Sequence, residues 1–246
     1  MLYEIVEFLD EFLRIGEWEE RSKNGLQVEG REEVERVAFA VDACMEVFER
    51  AKDFDMIVVH HGIVWDGIDY VRGIVRRRLE FLLKNNISLY AAHLPLDAHP
   101  SVGNNAQILK KFGLEPKESF GSYKGREIGY IGEFESEVAI DDVLKVVEGI
   151  NPNFISLRFG KEYVRRMGVV SGRGSFALSE AIERDVDLFL TGEVDHSAYH
   201  IAKEGKINLV FAGHYATETF GVKALMVVVA QEFDVEVEFI DVPTGL

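Results

Sequence analysis

A chain of 246 residues, 47% hydrophobic and 28% charged, has the composition of a soluble globular protein and enough length to bury a sizeable core. Its 43 acidic and 27 basic side chains leave a net charge of −16, which argues against general electrostatic attraction to nucleic acid or to an anionic membrane. Cys44 stands alone, so an internal disulfide and a cysteine metal cluster are both excluded.

Apolar residues at Leu2, Ile5, Val6, Leu9, Phe12 and Leu13 predict a helix over 2–13. Acidic residues run through that pattern, so it is not a secretory signal, and the expected location is the cytoplasm. Asn24-Gly25 predicts a turn into a short extended piece ending at Val28. Alternation and β-branching predict a strand over 34–41, and helical spacing follows over 45–54. Met56-Ile57-Val58-Val59 is a continuous apolar run, the mark of a strand buried in a parallel sheet. A basic helix is expected over 71–83 and another strand over 87–92. The middle of the chain predicts a strand over 128–134, a helix over 141–148 and a strand over 154–159. Ala224 to Ala230, the longest apolar run, is too short to cross a bilayer. Strands alternating with helices argue for an α/β fold.

From Arg166 the pattern starts again. Arg166–Val170 resembles Arg36–Ala40, a helix over 176–184 matches Met45–Lys52, and Asp187–Leu190 matches Asp55–Val58. KINLVFAGHYATE (206–218) then matches NISLYAAHLPLD (86–97). This reads as an internal duplication of a βαβ-containing unit.

The duplication sets His93 against His214 and Asp97 against Glu218, so each copy ends a strand with His-x-x-x-carboxylate. Pro95 is expected to hold the first motif in an extended loop. The second runs into a helical pattern, which puts Glu218 near the positive end of a helix, where a carboxylate stays ionised. Ligands of open α/β sheets bind beyond the carboxyl ends of the strands. His60-His61 lie at such an end, as do His93–Asp97 and His214–Glu218. Side chains alternate along a strand, so adjacent histidines point apart inside one, but where the strand turns into Gly62 both can swing into one space. A pair of ions about 3.5–4 Å apart needs this: a histidine on each, with carboxylates on and between them.

Other candidates are weaker. His99, His196 and His200 lack such support, and His196 and His200 fit the solvated face of a helix. Glu193 and Asp195 occupy the strand end equivalent to His60-His61 and are candidates to orient a ligand or touch a substrate. Gly172-Arg173-Gly174-Ser175 lies between a strand and a helix; it is an anion-holding loop or an ordinary tight turn. Arg72, Arg76, Arg77 and Arg78 form the one basic cluster, either a solvated helix face or a local nucleic-acid contact. Trp18 and Trp65 read as packing or oligomer contacts.

Five stretches, NGLQVEG (24–30), VVHHGIVWDG (58–67), AAHLPLDAHPSVGNNAQIL (91–109), FLTGEVDHSAYH (189–200) and GHYATETFGVKAL (213–225), make the sequence resemble the Nif-three-like family, whose members carry the label GTP cyclohydrolase 1 type 2 homologue. The resemblance implies two related α/β halves with mixed sheets flanked by helices and a dinuclear metal site in the cleft between them. It implies one unit over 1–246 with halves of about 1–118 and 119–246; Ser119–Arg158 is too short for the extra domain of longer members. Carried over by position, the ligands are His60, His61, Asp97, His214 and Glu218, with Glu218 bridging and His93 beside the site. The resemblance also implies a homohexameric ring, a trimer of dimers. Imidazole and carboxylate donors suit zinc, iron(II) or manganese, two divalent ions per subunit. Hydrolysis of a nucleotide-like small molecule, such as ring opening of a purine nucleotide, is the expected activity. The alternative is a ring-shaped scaffold, regulatory or nucleic-acid-binding, whose metals are structural.

Overall fold

The apolar run at Met56–Val59 becomes the middle strand of a sheet, with all four residues buried. The computed structural model describes residues 1–246. In chain order its elements are α1 (Leu2–Leu13), β1 (Gly25–Val28), β2 (Arg36–Asp42), α2 (Met45–Arg50), β3 (Met56–His61), α3 (Gly73–Asn85) and β4 (Ser88–Ala91). Next come α4 (Leu94–Asp97), α5 (Asn104–Lys111), β5 (Glu118–Tyr123), β6 (Arg126–Ala139), α6 (Ile140–Glu148) and β7 (Ile155–Arg158). The chain ends with β8 (Tyr163–Val170), α7 (Leu178–Glu183), β9 (Leu188–Thr191), α8 (Ala198–Gly205), β10 (Asn208–Phe211), α9 (His214–Glu232) and β11 (Glu236–Phe239).

Two compact units result. The first is Met1–Leu96 with Val222–Val242, and the second is Asp97–Gly221 with Pro243–Leu246. The first unit holds a sheet of order β1-β4-β3-β2-β11, parallel except for β1. Phe48 of α2 and Leu82 of α3 pack on its buried Ala38, Ala40, Ile57, Val59 and Leu89. The second unit holds a sheet of order β5-β6-β8-β9-β10-β7, in which β8, β9 and β10 are parallel and the rest antiparallel. Ile108 and Leu109 of α5 and Val143 and Val147 of α6 cover Met167, Val169, Leu188, Leu190 and Val210.

The repeat extends to single hydrogen bonds. Asp55, ahead of β3, accepts the Glu35 and Arg36 amides on one carboxylate oxygen, both at 2.9 Å. Asp187, ahead of β9, does the same for Arg165 and Arg166, both at 3.0 Å. The main chain of Asp55 bonds to Arg36 and Ser88, and that of Asp187 to Arg166 and Asn208. Gly30 donates to Ser88 Oγ and Gly160 to Asn208 Oδ1, at 2.9 and 3.0 Å. Asn86 and Lys206, both left-handed, close α3 and α8. Each aspartate also meets a base, Arg31 or Lys161. The Ala92 amide bonds to Val59 and the Ala212 amide to Thr191, so the strands are in equivalent register up to these residues. One extra residue, Gly213 at φ 91°, then separates Ala212 from His214. Burial pushes the Asp187 carboxyl up, but Lys161 and the two amides together hold it below the usual carboxylate range. Replacing Asp187 by Ala strands both amides, so a loss of about 2–4 kcal/mol is expected; the urea midpoint measures it, and an unchanged midpoint would refute the clamp.

Several local expectations change. Pro95 does not keep an extended loop: Leu94–Asp97 is one helical turn, and proline is tolerated there because a first-turn N–H has no partner within a helix. The helix from Met45 stops at Arg50, and α7 is preceded by a 3-10 turn over Ser175–Ala177. His196 precedes α8 rather than lying on it. β5 and β11 carry no strong pattern in the sequence; β11 alternates exposed glutamates with half-buried Val237 and Phe239 at a sheet edge. No helix is long and apolar enough to cross a membrane.

Candidate metal centre

In the first unit, β3 ends in His60 and His61, whose rings lie 4.7 Å apart. His60 is fully buried, and its Nδ1 donates to the Ala92 carbonyl at 2.8 Å. A carbonyl only accepts, so the proton sits on Nδ1 and the lone pair on Nε2. His61 Nδ1 meets Asp42 Oδ1 at 2.8 Å, because β2 and β3 run parallel with Asp42 opposite His61. His93, just past β4, meets the buried Glu20 carboxylate through Nδ1 at 2.5 Å. The other Glu20 oxygen takes Asn24 Nδ2 and the Leu94 amide, and Asn24 Oδ1 takes the His93 amide. His93 stands 5.0 Å from His60 and 5.5 Å from His61, ring to ring. One nitrogen from each of the three imidazoles lies within 4.8 Å of the others, a group that could hold a metal ion.

The backbone around these histidines is pinned. Gln27 Oε1 accepts the Ile63 and Val64 amides at 2.8 and 3.1 Å, which holds the turn after His61. A side chain at Gly62 would strike Gln27 and Ala91. Trp65 donates to the Gly62 carbonyl at 3.0 Å and sets its ring edge-on to His93, 5.1 Å between centroids.

In the second unit, Asp97 ends α4 and is buried. Its Oδ1 accepts from Asn104 Nδ2 and Ser171 Oγ, both at 2.8 Å. His214 opens α9, and Glu218 lies one turn on, on the same face. His214 Nε2 sits 3.2 Å from Glu218 Oε1, while its Nδ1 meets Glu193 Oε2 at 2.9 Å. Burial pushes the His214 imidazolium down, but Glu218 and Glu193 outweigh it and raise the pKa to about 9. Gly172, at φ +57°, packs against this pair: a Cβ there would lie 2.2 Å from Glu218 Oε1 and 3.3 Å from His214 Nε2.

Two amides of the Gly172–Ser175 loop are not available to an anion. The Gly172 and Gly174 amides are spent on Thr217 Oγ1 and Thr191 Oγ1, at 3.0 and 2.9 Å. Arg173 is exposed, 3.9 Å from Glu193 Oε1. Asp195 bonds to Ser197, and His99 Nδ1 accepts the amides of its own turn. His196 and His200 are exposed. Arg72 stacks on Tyr70 and Arg76 pairs with Glu80 on α3.

Sequence reading missed Asp42, Glu20, Asn104 and Ser171. Asp42 was signalled, being a carboxylate closing an apolar strand; Glu20 lies in an irregular acidic stretch and carries no signal.

An α/β protein with two mixed sheets and with histidine and carboxylate groups that could hold a metal ion is the class these features define. The chain belongs to the Duf34/NIF3 (NGG1p interacting factor 3) family, whose pattern matches residues 1–245. A relative from Archaeoglobus fulgidus, named GTP cyclohydrolase 1 type 2 homolog, is 56% identical over 100% of this chain and 99% of its own. One of the same name from Pyrococcus horikoshii is 53% identical over 99% of this chain and 98% of its own. Among solved structures, the structural-genomics protein ybgI, titled as of unknown function, superposes with a TM-score of 0.93 at 33% identity, covering 99% of both chains. Reduced HcgD from Methanocaldococcus jannaschii superposes with a TM-score of 0.85 at 27% identity, over 98% of this chain and 97% of that one.

Proposed function

We propose that the protein is a metal-dependent hydrolase of a nucleotide-like small molecule. In this reading His60, His61, Asp97, His214 and Glu218 would hold two divalent ions. The observation that carries it is the oxygen behind each imidazole. Nδ1 of His60, His61, His93 and His214 meets Ala92, Asp42, Glu20 and Glu193 respectively. Proteins orient metal-binding histidines in this way, because the bond fixes the tautomer and strengthens Nε2 as a donor. Packing alone would not require a carboxylate behind three of the four rings.

Nitrogen and oxygen donors without thiolate fit zinc, iron(II) or manganese. Such ions supply Lewis-acid polarisation and activation of water near neutral pH. Asp42 and Glu193 hold their imidazoles in the ligating tautomer. Glu218, buried and beside His214, would supply carboxylate oxygen to the ions. Glu20 orients His93, which stands beside the ligands as a hydrogen-bonding imidazole. GTP is the first substrate to test, because the relatives bear the name GTP cyclohydrolase 1 type 2 homolog. The protein works in the cytoplasm as a homohexameric ring, a trimer of dimers.

Elemental analysis of the purified protein should find about two ions per chain. His61→Ala and Glu218→Ala should each lose at least one while keeping the native circular dichroism spectrum. GTP and other nucleotides should turn over only with the metal-loaded wild type. Metal-loaded protein that turns over none of them would end the hydrolase reading. The scaffold reading would then stand if chelation lowered the melting temperature and dissolved the ring.

A further inference from the structure

We propose that Asn104, with Ser171 behind it, is a positioning residue for the metal centre: it fixes the orientation of the Asp97 carboxylate and ties it to the helix turn that carries Glu218. The inference rests on Asp97 and Glu218 being ligands, as proposed above.

Asn104 and Asn105 open α5 after Gly103, and both are fully buried. Burying two primary amides is costly unless every polar atom is matched. Here each is. Asn104 Nδ2 donates to Asp97 Oδ1 at 2.8 Å, and Asn104 Oδ1 accepts the Gly221 amide at 2.6 Å. Asn105 Nδ2 donates to the carbonyls of Asp97 and Ile128, at 3.2 and 2.6 Å. Asn105 Oδ1 accepts the Ser171 amide at 2.6 Å, and Ser171 Oγ completes the set on Asp97 Oδ1 at 2.8 Å.

Two features separate this network from ordinary core polarity. First, both donors converge on one oxygen of Asp97. That oxygen is held on two sides, and the carboxylate cannot rotate without breaking two hydrogen bonds. Second, the far end of the Asn104 amide holds α9. Gly221 follows Glu218 by three residues and shares its face of the helix. A Cβ at Gly221 would lie 2.8 Å from Asn104 Oδ1 and 3.0 Å from the Asn104 backbone nitrogen, so glycine is what admits Asn104 to the helix backbone. The amide's orientation is set by its partners: the carboxylate demands the NH2 end and the Gly221 N–H demands the oxygen. One planar group therefore links the Asp97 carboxylate to the helix turn that follows Glu218. Aspartate in its place would lose the donor and face Asp97 with a like charge.

The test uses the full chain as wild type, Asp97→Ala, Asn104→Ala, Asn104→Asp and Ser171→Ala. Cobalt(II) is the probe, titrated against a competing chelator and followed by visible absorption; melting temperatures are read metal-free and metal-loaded. Asn104→Ala is expected to weaken binding of one ion about 10–100-fold and to change the cobalt spectrum. Ser171→Ala should move both readouts in the same direction by less, which keeps the test alive if Asn104→Ala fails to fold. Asn104→Asp should be worse than Asn104→Ala. Combined with Asp97→Ala, Asn104→Ala should cost little more affinity. A fall in both melting temperatures with unchanged affinity and spectrum would reduce Asn104 to a packing role and overturn the proposal. Asp97→Ala with wild-type affinity would instead sink the ligand assignment, and this inference with it.

Discussion

Gly172→Ala is expected to abolish tight metal binding while the fold survives. Gly172 has φ +57°, a region that costs an L residue about 1–2 kcal/mol. That cost alone would be a modest loss of stability. The larger effect is steric, because the added methyl would lie 2.2 Å from Glu218 Oε1 and 3.3 Å from His214 Nε2. Glu218 is buried, so its carboxylate has to leave the position in which it neighbours His214. The Gly172 amide also anchors Thr217, one residue before Glu218, and a shifted loop strains that bond. Metal affinity should fall at least 100-fold by calorimetric titration, against a stability loss of about 1–3 kcal/mol. Gly125→Ala is the control: its φ is +83° and nothing lies within 4 Å of a Cβ there. It should lose comparable stability and keep wild-type affinity. Equal affinity in both variants would show that the glycine serves only the turn.

Metal affinity should rise with pH and level off near pH 9. In the metal-free protein, burial disfavours the charged form of His214, but Glu218 and Glu193 outweigh it and raise the pKa to about 9. An ion held by His214, as proposed, needs the neutral imidazole, so its binding must release this proton. Apparent affinity should therefore climb by up to about tenfold per pH unit from neutrality to pH 9, beyond any contribution from other ligands. Stability of the metal-free protein runs the other way. A raised histidine pKa stabilises fully below the ordinary value near 6.5, and that contribution disappears as pH rises through 9, at most about 3 kcal/mol. Glu193→Gln removes one of the charges that hold the imidazolium. The plateau should move to lower pH, and the metal-free protein should lose less stability between pH 7 and 9. Affinity that stays flat over that interval would refute the linkage.

Much of the fold was readable because its signals are local. The buried parallel strand at Met56–Val59 showed as an unbroken apolar run, and α1 as a helical stripe from Leu2 to Leu13. The repeat was visible because each copy pairs an aspartate ahead of a strand with a His-x-x-x-acid motif after a later one. What failed was equally local in cause. In sequence Pro95 points to an extended loop, yet the first turn of a helix tolerates proline. β11 alternates too weakly to be seen, and its place beside β2 follows only once α9 has carried the chain back to the first sheet.

Read alone, the sequence told which residue types sit at the strand ends, where the two copies lie, and that adjacent imidazoles and spaced carboxylates could hold a metal ion. Periodicity and spacing carry that information within a few residues. The tertiary structure alone decided what stands behind each of them: Asp42 behind His61, Glu20 behind His93 and Asn104 between Asp97 and Gly221. Those partners are 19, 73 and up to 117 residues apart in the chain. A hydrogen bond over such separations depends on strand order, register and helix entry angle, and none of these is written in a short stretch of residues.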